Sequence, residues 1–228
     1  MFNKVCKKCG KEFQSNSRNK RDCQDCSLRD EQGNWKKKER TYINRCNFFE
    51  NDLEGYSYFM GFGYADGYCN PINTKIYVMS TDLEIIEKIK NRIGFTGTVC
   101  SYKNKKGYKT THQINLCGKT AKYFIDRGFI NDKDLLSIPA NVEFYHFLRG
   151  FFDGDGFITL RYNKNGTVKP TIGFSGRIKL LTEIQSRVGG TLRRDRNIWF
   201  LNFNTSESIE LLNKMYYNAS IYLQRKYC

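Results

Sequence analysis

Histidine, proline and long apolar runs are scarce in this chain, and acid is scarce relative to base. Two histidines, His112 and His146, leave little for chemistry that needs several imidazoles. Three prolines and no low-complexity tract argue against a disordered tail. No stretch reaches the roughly 18 consecutive apolar residues of a membrane-spanning helix. Met1 to Lys11 is polar and basic, with no apolar run after it of the kind a signal peptide needs. The expectation is a chain that stays inside a cell. Against 38 Lys and Arg there are only 23 Asp and Glu, a net charge of +15. Charge does not set a fold, but a surplus of this size points to a polyanion, most often nucleic acid; plain solubility is the alternative. What is present in quantity is apolar and aromatic: 39% and 15% of the 228 residues. That composition folds, as one ordinary domain or two small ones.

Inside a cell, closely paired cysteines are metal ligands before they are disulfides. Cys6, Cys9, Cys23 and Cys26 form two C-x2-C pairs separated by thirteen residues. Each such turn aims two thiolates at one cation, and two turns complete a tetrahedral zinc site. Residues 1–28 have no core of their own, so zinc would supply the folding energy of this module. With four thiolates the shell is closed, which makes the site structural. The other five cysteines read as small buried or neutral residues. Residues 29–54 follow as a polar arm carrying Lys36, Lys37 and Lys38, then Arg40 and Arg45. Met1 to Arg45 holds 13 basic and 6 acidic residues, or +7 of the +15. This arm either tracks phosphates or is a solvated helix face.

The remaining chain repeats itself. Gly61, Phe62, Asp66 and Gly67 recur as Gly150, Phe151, Asp155 and Gly156, each 89 positions later. Further on, Ile86, Ile89, Arg92, Ile93 and Gly94 fall against Leu181, Ile184, Arg187, Val188 and Gly189 at a spacing of 95. The second copy therefore has about six extra residues, and the turn signal Asn163 to Gly166 lies where they belong. Two matches in one order, with the gap at a turn, indicate an internal duplication. Each copy reads as a glycine-bearing apolar helix, a hairpin, an amphipathic helix, a second hairpin and a last helix. Ile76 and Val78 carry the first hairpin's apolar face, and Ile158, Leu160 and Tyr162 that of the second copy. The expectation is an α+β fold of two tandem αββαββα halves, residues 55–138 and 139–228.

Small residues stand four apart before each repeated aspartate: Gly61 and Ala65, Gly150 and Gly154. That spacing puts both on one helix face, and a helix glycine costs about 1 kcal/mol against alanine. Close packing of the two duplicated helices is a reason to bear that cost. It would set Asp66 and Asp155 side by side at two helix C-termini, where partial negative charge disfavours them. A positive partner is called for, and oxygen ligands suit magnesium. The competing reading is a pair of turn residues before glycine.

The segments Met60-Gly-Phe-Gly-Tyr-Ala-Asp-Gly67 and Leu148-Arg-Gly-Phe-Phe-Asp-Gly-Asp-Gly156 resemble two degenerate copies of the motif that names the LAGLIDADG homing endonucleases. The resemblance runs from about Gly55 to the C-terminus. It implies a monomer with pseudo-twofold symmetry, a saddle of two antiparallel sheets in the DNA major groove, and magnesium-dependent double-strand cleavage of a long asymmetric site, one strand per motif acid. It places the essential acids on Asp66 and Asp155, and auxiliary magnesium ligands on the carbonyls of Ala65 and Gly154. It also implies a basic residue past the last helix of each half, for which Lys133 and Lys226 are the matches. One departure is visible: Asp153, at the motif's first acid, has Tyr64 as its counterpart, and Asp153 is not assigned to catalysis. The setting would be cytoplasm or nucleoid, an organelle or a phage-infected cell.

Strand alternation offers a polar sheet face: Lys75, Tyr77, Thr111 and Gln113 in the first half, and Thr159, Arg161, Lys169, Thr171, Arg193 and Asp195 in the second. Arginine to guanine and glutamine to adenine are the expected major-groove pairings, though some of these side chains would touch only phosphate. The zinc module would lengthen the DNA footprint or bind protein. The alternatives are an RNA-splicing maturase or a non-cleaving DNA-binding regulator on the same fold. A histidine-dependent HNH nuclease is disfavoured because neither histidine sits in a ββα setting.

Overall fold

The computed structural model describes residues 1–7, 9–23, 51–103, 107, 109–162 and 164–227. Cys26, Lys36, Lys37 and Lys38 lie outside the described residues. The chain divides into two compact units, Met1–Thr41 and Tyr42–Cys228.

In the first unit, β1 (Phe2–Val5) pairs antiparallel with β2 (Glu12–Ser15), Val5 opposite Glu12. The tight connection needs Gly10, whose φ of 71° suits a residue without a Cβ. The Gly10 amide donates to the Cys6 carbonyl at 2.9 Å and the Cys6 amide to the Lys11 carbonyl at 2.8 Å.

The larger unit runs twice through one sequence of elements. The first pass is α1 (Leu53–Asp66), β3 (Gly67–Asn70), β4 (Lys75–Ser80), α2 (Leu83–Arg92), β5 (Cys100–Tyr102), β6 (Thr111–Cys117) and α3 (Gly118–Ile125). The second is α4 (Phe144–Asp155), β7 (Gly156–Tyr162), β8 (Val168–Gly176), α5 (Ile178–Val188), β9 (Thr191–Asp195), β10 (Ile198–Asn202) and α6 (Thr205–Tyr216). The sheets have matching orders, β3-β4-β6-β5 and β7-β8-β10-β9, antiparallel throughout. Both passes are αββαββα, as the duplication implies. Among the described residues no helix is long and apolar enough to cross a membrane.

Each sheet buries one face. Ile76, Val78 and Ile114 are fully buried in the first half, as are Phe174 and Leu201 in the second. The amphipathic helices cover these faces with Ile85, Ile86 and Ile89 in α2 and Leu180, Leu181 and Ile184 in α5. The extra residues of the second copy lengthen its first hairpin: β7 and β8 have 7 and 9 residues where β3 and β4 have 4 and 6. The added length changes one expectation. Leu160 and Tyr162 alternate as core residues would, yet they are 49% and 72% exposed, because the longer strands carry this end of the hairpin past the core.

At the centre, α1 and α4 touch backbone to backbone. A Cβ built on Gly61 would collide with the Phe147 carbonyl and come within 2.8 Å of the Phe151 nitrogen. One built on Gly150 would collide with the Tyr58 carbonyl and come within 2.8 Å of the Phe62 nitrogen. These contacts are reciprocal, residue for residue, and such an isologous pattern is what a twofold relation produces.

Candidate functional site

The paired helices end together, with Asp66 closing α1 and Asp155 closing α4. The adjacent small residues make this possible. A Cβ on Gly154 would collide with that of Ala65 and would lie 3.5 Å from the Asp66 carboxylate. Both carboxylates are half-buried. Burial, and then the charge of Asp155, push Asp66 up to about 6, against the opposing charges of Lys133, Lys226 and Arg225. Burial likewise raises Asp155, against Lys133 and Lys226. Two adjacent acids that resist ionising, both because water is partly excluded and Asp66 also because Asp155 repels it, form a site short of positive charge.

Lys133 and Lys226 are brought to the same place, but they meet backbone. Lys133 donates to the Ala65 carbonyl at 2.6 Å. Lys226, buried, donates to the carbonyls of Phe152 at 2.5 Å, Asp153 at 3.0 Å and Gly156 at 2.6 Å. A lysine on the last carbonyls of a helix answers its negative end, so part of the positive charge that the acids call for is built into the chain. Burial lowers Lys226 to about 8, although Asp153 pulls the other way. A cavity of about 310 Å³ opens beside Asp155 and is lined by Tyr64, Lys133, Ser175, Arg177 and Asn197 among others. Arg177 and Asn197 carried no repeat or motif signal and were not foreseen.

The expected sheet-face residues do share a face. In the first half, Tyr77 lies opposite Tyr68 and Asn115, Lys75 opposite Cys117, Gln113 opposite Met79 and Cys100, and Thr111 opposite Tyr102. In the second half, Thr159 lies opposite Thr171, Arg161 opposite Lys169, Arg193 opposite Phe200 and Asp195 opposite Ile198. Of this face's aromatic residues the sequence reading named Tyr77 but missed Tyr68, Phe157 and Phe200. Tyr68 and Tyr77 sit with ring centres 5.9 Å apart, and Phe157 meets Phe200 edge to face at 6.1 Å. Tyr68 and Phe157 are duplicates of one another, each two residues after a motif aspartate. The four-residue β3 is too short to show an alternation.

Asp153 is in the core and holds structure together. It accepts hydrogen bonds from the Tyr58 hydroxyl, the Tyr216 hydroxyl and the Leu223 amide, each at 2.7 Å. Beside it the buried Arg149 donates to the carbonyls of Ile221 and Met215 and to Glu54 at 2.7 Å. Burial alone would raise Glu54; hydrogen bonds from Ser220 and the charge of Arg149 outweigh it and leave Glu54 below its ordinary value.

In the smaller unit, the sulfurs of Cys6, Cys9 and Cys23 all lie within 4.8 Å of one another, and those of Cys9 and Cys23 are 3.6 Å apart. Thiolates bound to one zinc at about 2.3 Å stand at similar separations, so these three residues fit a zinc ion.

No family model matches the chain, and no curated protein matches it. Solved structures do. The I-SmaMI LAGLIDADG homing endonuclease bound to cleaved DNA is 14% identical, covering 74% of this chain and 84% of that one with a TM-score of 0.53. The I-LtrWI LAGLIDADG homing endonuclease bound to target DNA is 12% identical, covering 74% and 84% with a TM-score of 0.51. At such identities the likeness is one of fold: a mixed α+β arrangement with antiparallel sheets, matching that of the LAGLIDADG endonucleases.

Proposed function

We propose that this chain, which shares its fold with LAGLIDADG homing endonucleases bound to DNA, is itself a site-specific double-strand DNA endonuclease. The observation that carries the reading is the reciprocal glycine packing that ends in two adjacent, half-buried carboxyl groups whose acidity burial weakens. Nothing in a purely structural helix pair requires them.

Asp66 and Asp155 are the proposed acids, one for each strand. Their hard oxygens and negative charge suit a divalent cation such as magnesium, with the Gly154 carbonyl as a further candidate donor, joined by that of Ala65 once Lys133 releases it. A cation held by Asp66 and Asp155 would supply Lewis-acid polarisation of a phosphodiester and stabilisation of the charge that develops on its 3′ oxygen. The chain's own residues do the rest. Lys133 lines the cavity next to Asp155, where an ammonium group can meet a phosphate oxygen. Lys226 neutralises the end of α4. Lys75, Tyr77, Thr111, Gln113, Arg161, Lys169, Thr171 and Arg193 face the bases and phosphates of a long asymmetric site. Cys6, Cys9 and Cys23, with Cys26 as the fourth ligand, hold a structural zinc, and Lys36, Lys37 and Lys38 extend the phosphate contacts. The chain acts as an intracellular monomer, its two halves standing in for two subunits.

The test is selection of cleaved sites from a randomised DNA library with magnesium, followed by cutting of the recovered site. Double-strand cleavage that Asp66→Asn and Asp155→Asn each abolish, with binding retained, supports the reading. Tight binding of a selected site without cleavage of either strand points instead to a DNA-binding regulator, and selective binding of folded RNA to a maturase.

A further inference from the structure

The residue two places before each motif acid is Tyr64 in one half and Asp153 in the other, 89 positions apart like the acids themselves. In both halves this residue reaches the segment that follows the last helix and carries the lysine. Tyr64 donates its hydroxyl to the carbonyls of Gly128 at 2.9 Å and Ser137 at 3.3 Å, on either side of Lys133. Asp153 accepts from the Leu223 amide of that segment, ahead of Lys226, and also from the hydroxyls of Tyr216, which ends α6, and Tyr58 in α1. The reach is duplicated, but the hydrogen-bond polarity is reversed: the first segment offers carbonyls to a donor, the second an amide to a carboxylate.

A second reversal lies where the same segments cross to the opposite half. Asp134 of the first segment meets Arg177, the residue preceding α5, at 3.4 Å, and Arg225 of the second meets Asp82, the residue preceding α2, at 3.0 Å. Backbone ties accompany both crossings: Lys179 to the Leu135 carbonyl at 2.8 Å, and Lys88 to the Tyr222 carbonyl at 3.0 Å.

We propose that Tyr64 and Asp153 are counterpart positioning residues, each fixing the lysine-bearing segment of its own half over the end of its motif helix, with opposite polarity so that each segment fits only its own seat. This accounts for the absence of an acid at position 64. A carboxylate there would face the oxygens of Gly128 and Ser137 with no proton to offer, and a buried mismatch of that kind is costly.

The inference rests on the nuclease reading only for its effect on cutting; the anchoring can be measured without DNA. On the free full-length chain, hydrogen exchange should quicken in residues 129–137 for Tyr64→Phe and in residues 218–226 for Asp153→Asn, each effect confined to its own segment. Uniform loosening, or no change, overturns the anchoring. Tyr64→Phe keeps the ring and decides the matter alone if Asp153→Asn fails to fold. Strand-resolved cleavage of the selected site gives the second measurement. Tyr64→Phe should slow one strand about tenfold or more, and Asp153→Asn the other strand. Neither should add to Lys133→Met or Lys226→Met of its own half, since the positioning residue acts through the lysine. Additive losses, or both variants slowing one same strand, overturn the positioning role. A parent protein that cuts no selected site refutes the nuclease reading, and the exchange result then decides the anchoring.

Discussion

Asp66 holds its proton to about pH 6, against an ordinary 3.8. The folded state therefore binds more protons than the unfolded one between those values, so the metal-free protein loses stability as pH rises from about 4 to 6. Asp155, also raised, acts in the same direction. Asp66→Asn removes a charge that the fold tolerates poorly. Its melting temperature, without divalent cations, should exceed the parent's at pH 8 and match it near pH 4, while cleavage falls by at least about 100-fold. A melting series across pH with parallel cleavage assays checks both outcomes. The residue types and spacing of these acids were legible in the sequence. Their shared burial was not, because it comes from contacts between residues about 90 positions apart.

At the scale of elements, the α1–α4 pair bears the most on the site. Alanine at Gly61 or Gly150 would drive a methyl group into the facing carbonyl. Despite alanine's helix advantage of about 1 kcal/mol, each should cost on the order of 2 kcal/mol net, as overpacking does, and the two should cost alike because the contacts are reciprocal. Denaturant unfolding measures this. Arg149→Met should cost about 3–5 kcal/mol in the same assay, since it removes one of Glu54's two guanidinium partners and leaves the buried carbonyls of Ile221 and Met215 without their donor. The glycine spacing announced the helix pair in advance. The lengthened β7–β8 hairpin misled, since alternation shows which residues share a face but not whether a helix covers it.

For the whole molecule, two units should respond to two different agents. Zinc chelation, or Cys6→Ser, should expose the amides of residues 1–23 to exchange while the melting of the larger unit, with its own core, stays unchanged. Binding of a selected duplex should weaken steeply with salt, with a log–log slope of about −0.9 for each phosphate neutralised. A chain of net charge +15 that makes extensive phosphate contacts should show a steep slope, and a titration between low and moderate salt measures it.

Local periodicity is written in consecutive residues, so the sequence alone determined the element order, the duplication, the small-residue stripe and the polar sheet faces apart from aromatic members such as Tyr68 and Phe157. The tertiary structure alone decided what those elements bring together. It set Lys133 and Lys226 on backbone carbonyls at two helix ends, put Asp153 in the core, and gave Tyr64 the opposite hydrogen-bond sense to its counterpart. Each of those outcomes depends on which groups a distant segment presents, carbonyl or amide, acid or base. No spacing within one stretch of chain records that choice, because it is made only when the last segment of each half returns over its own motif helix.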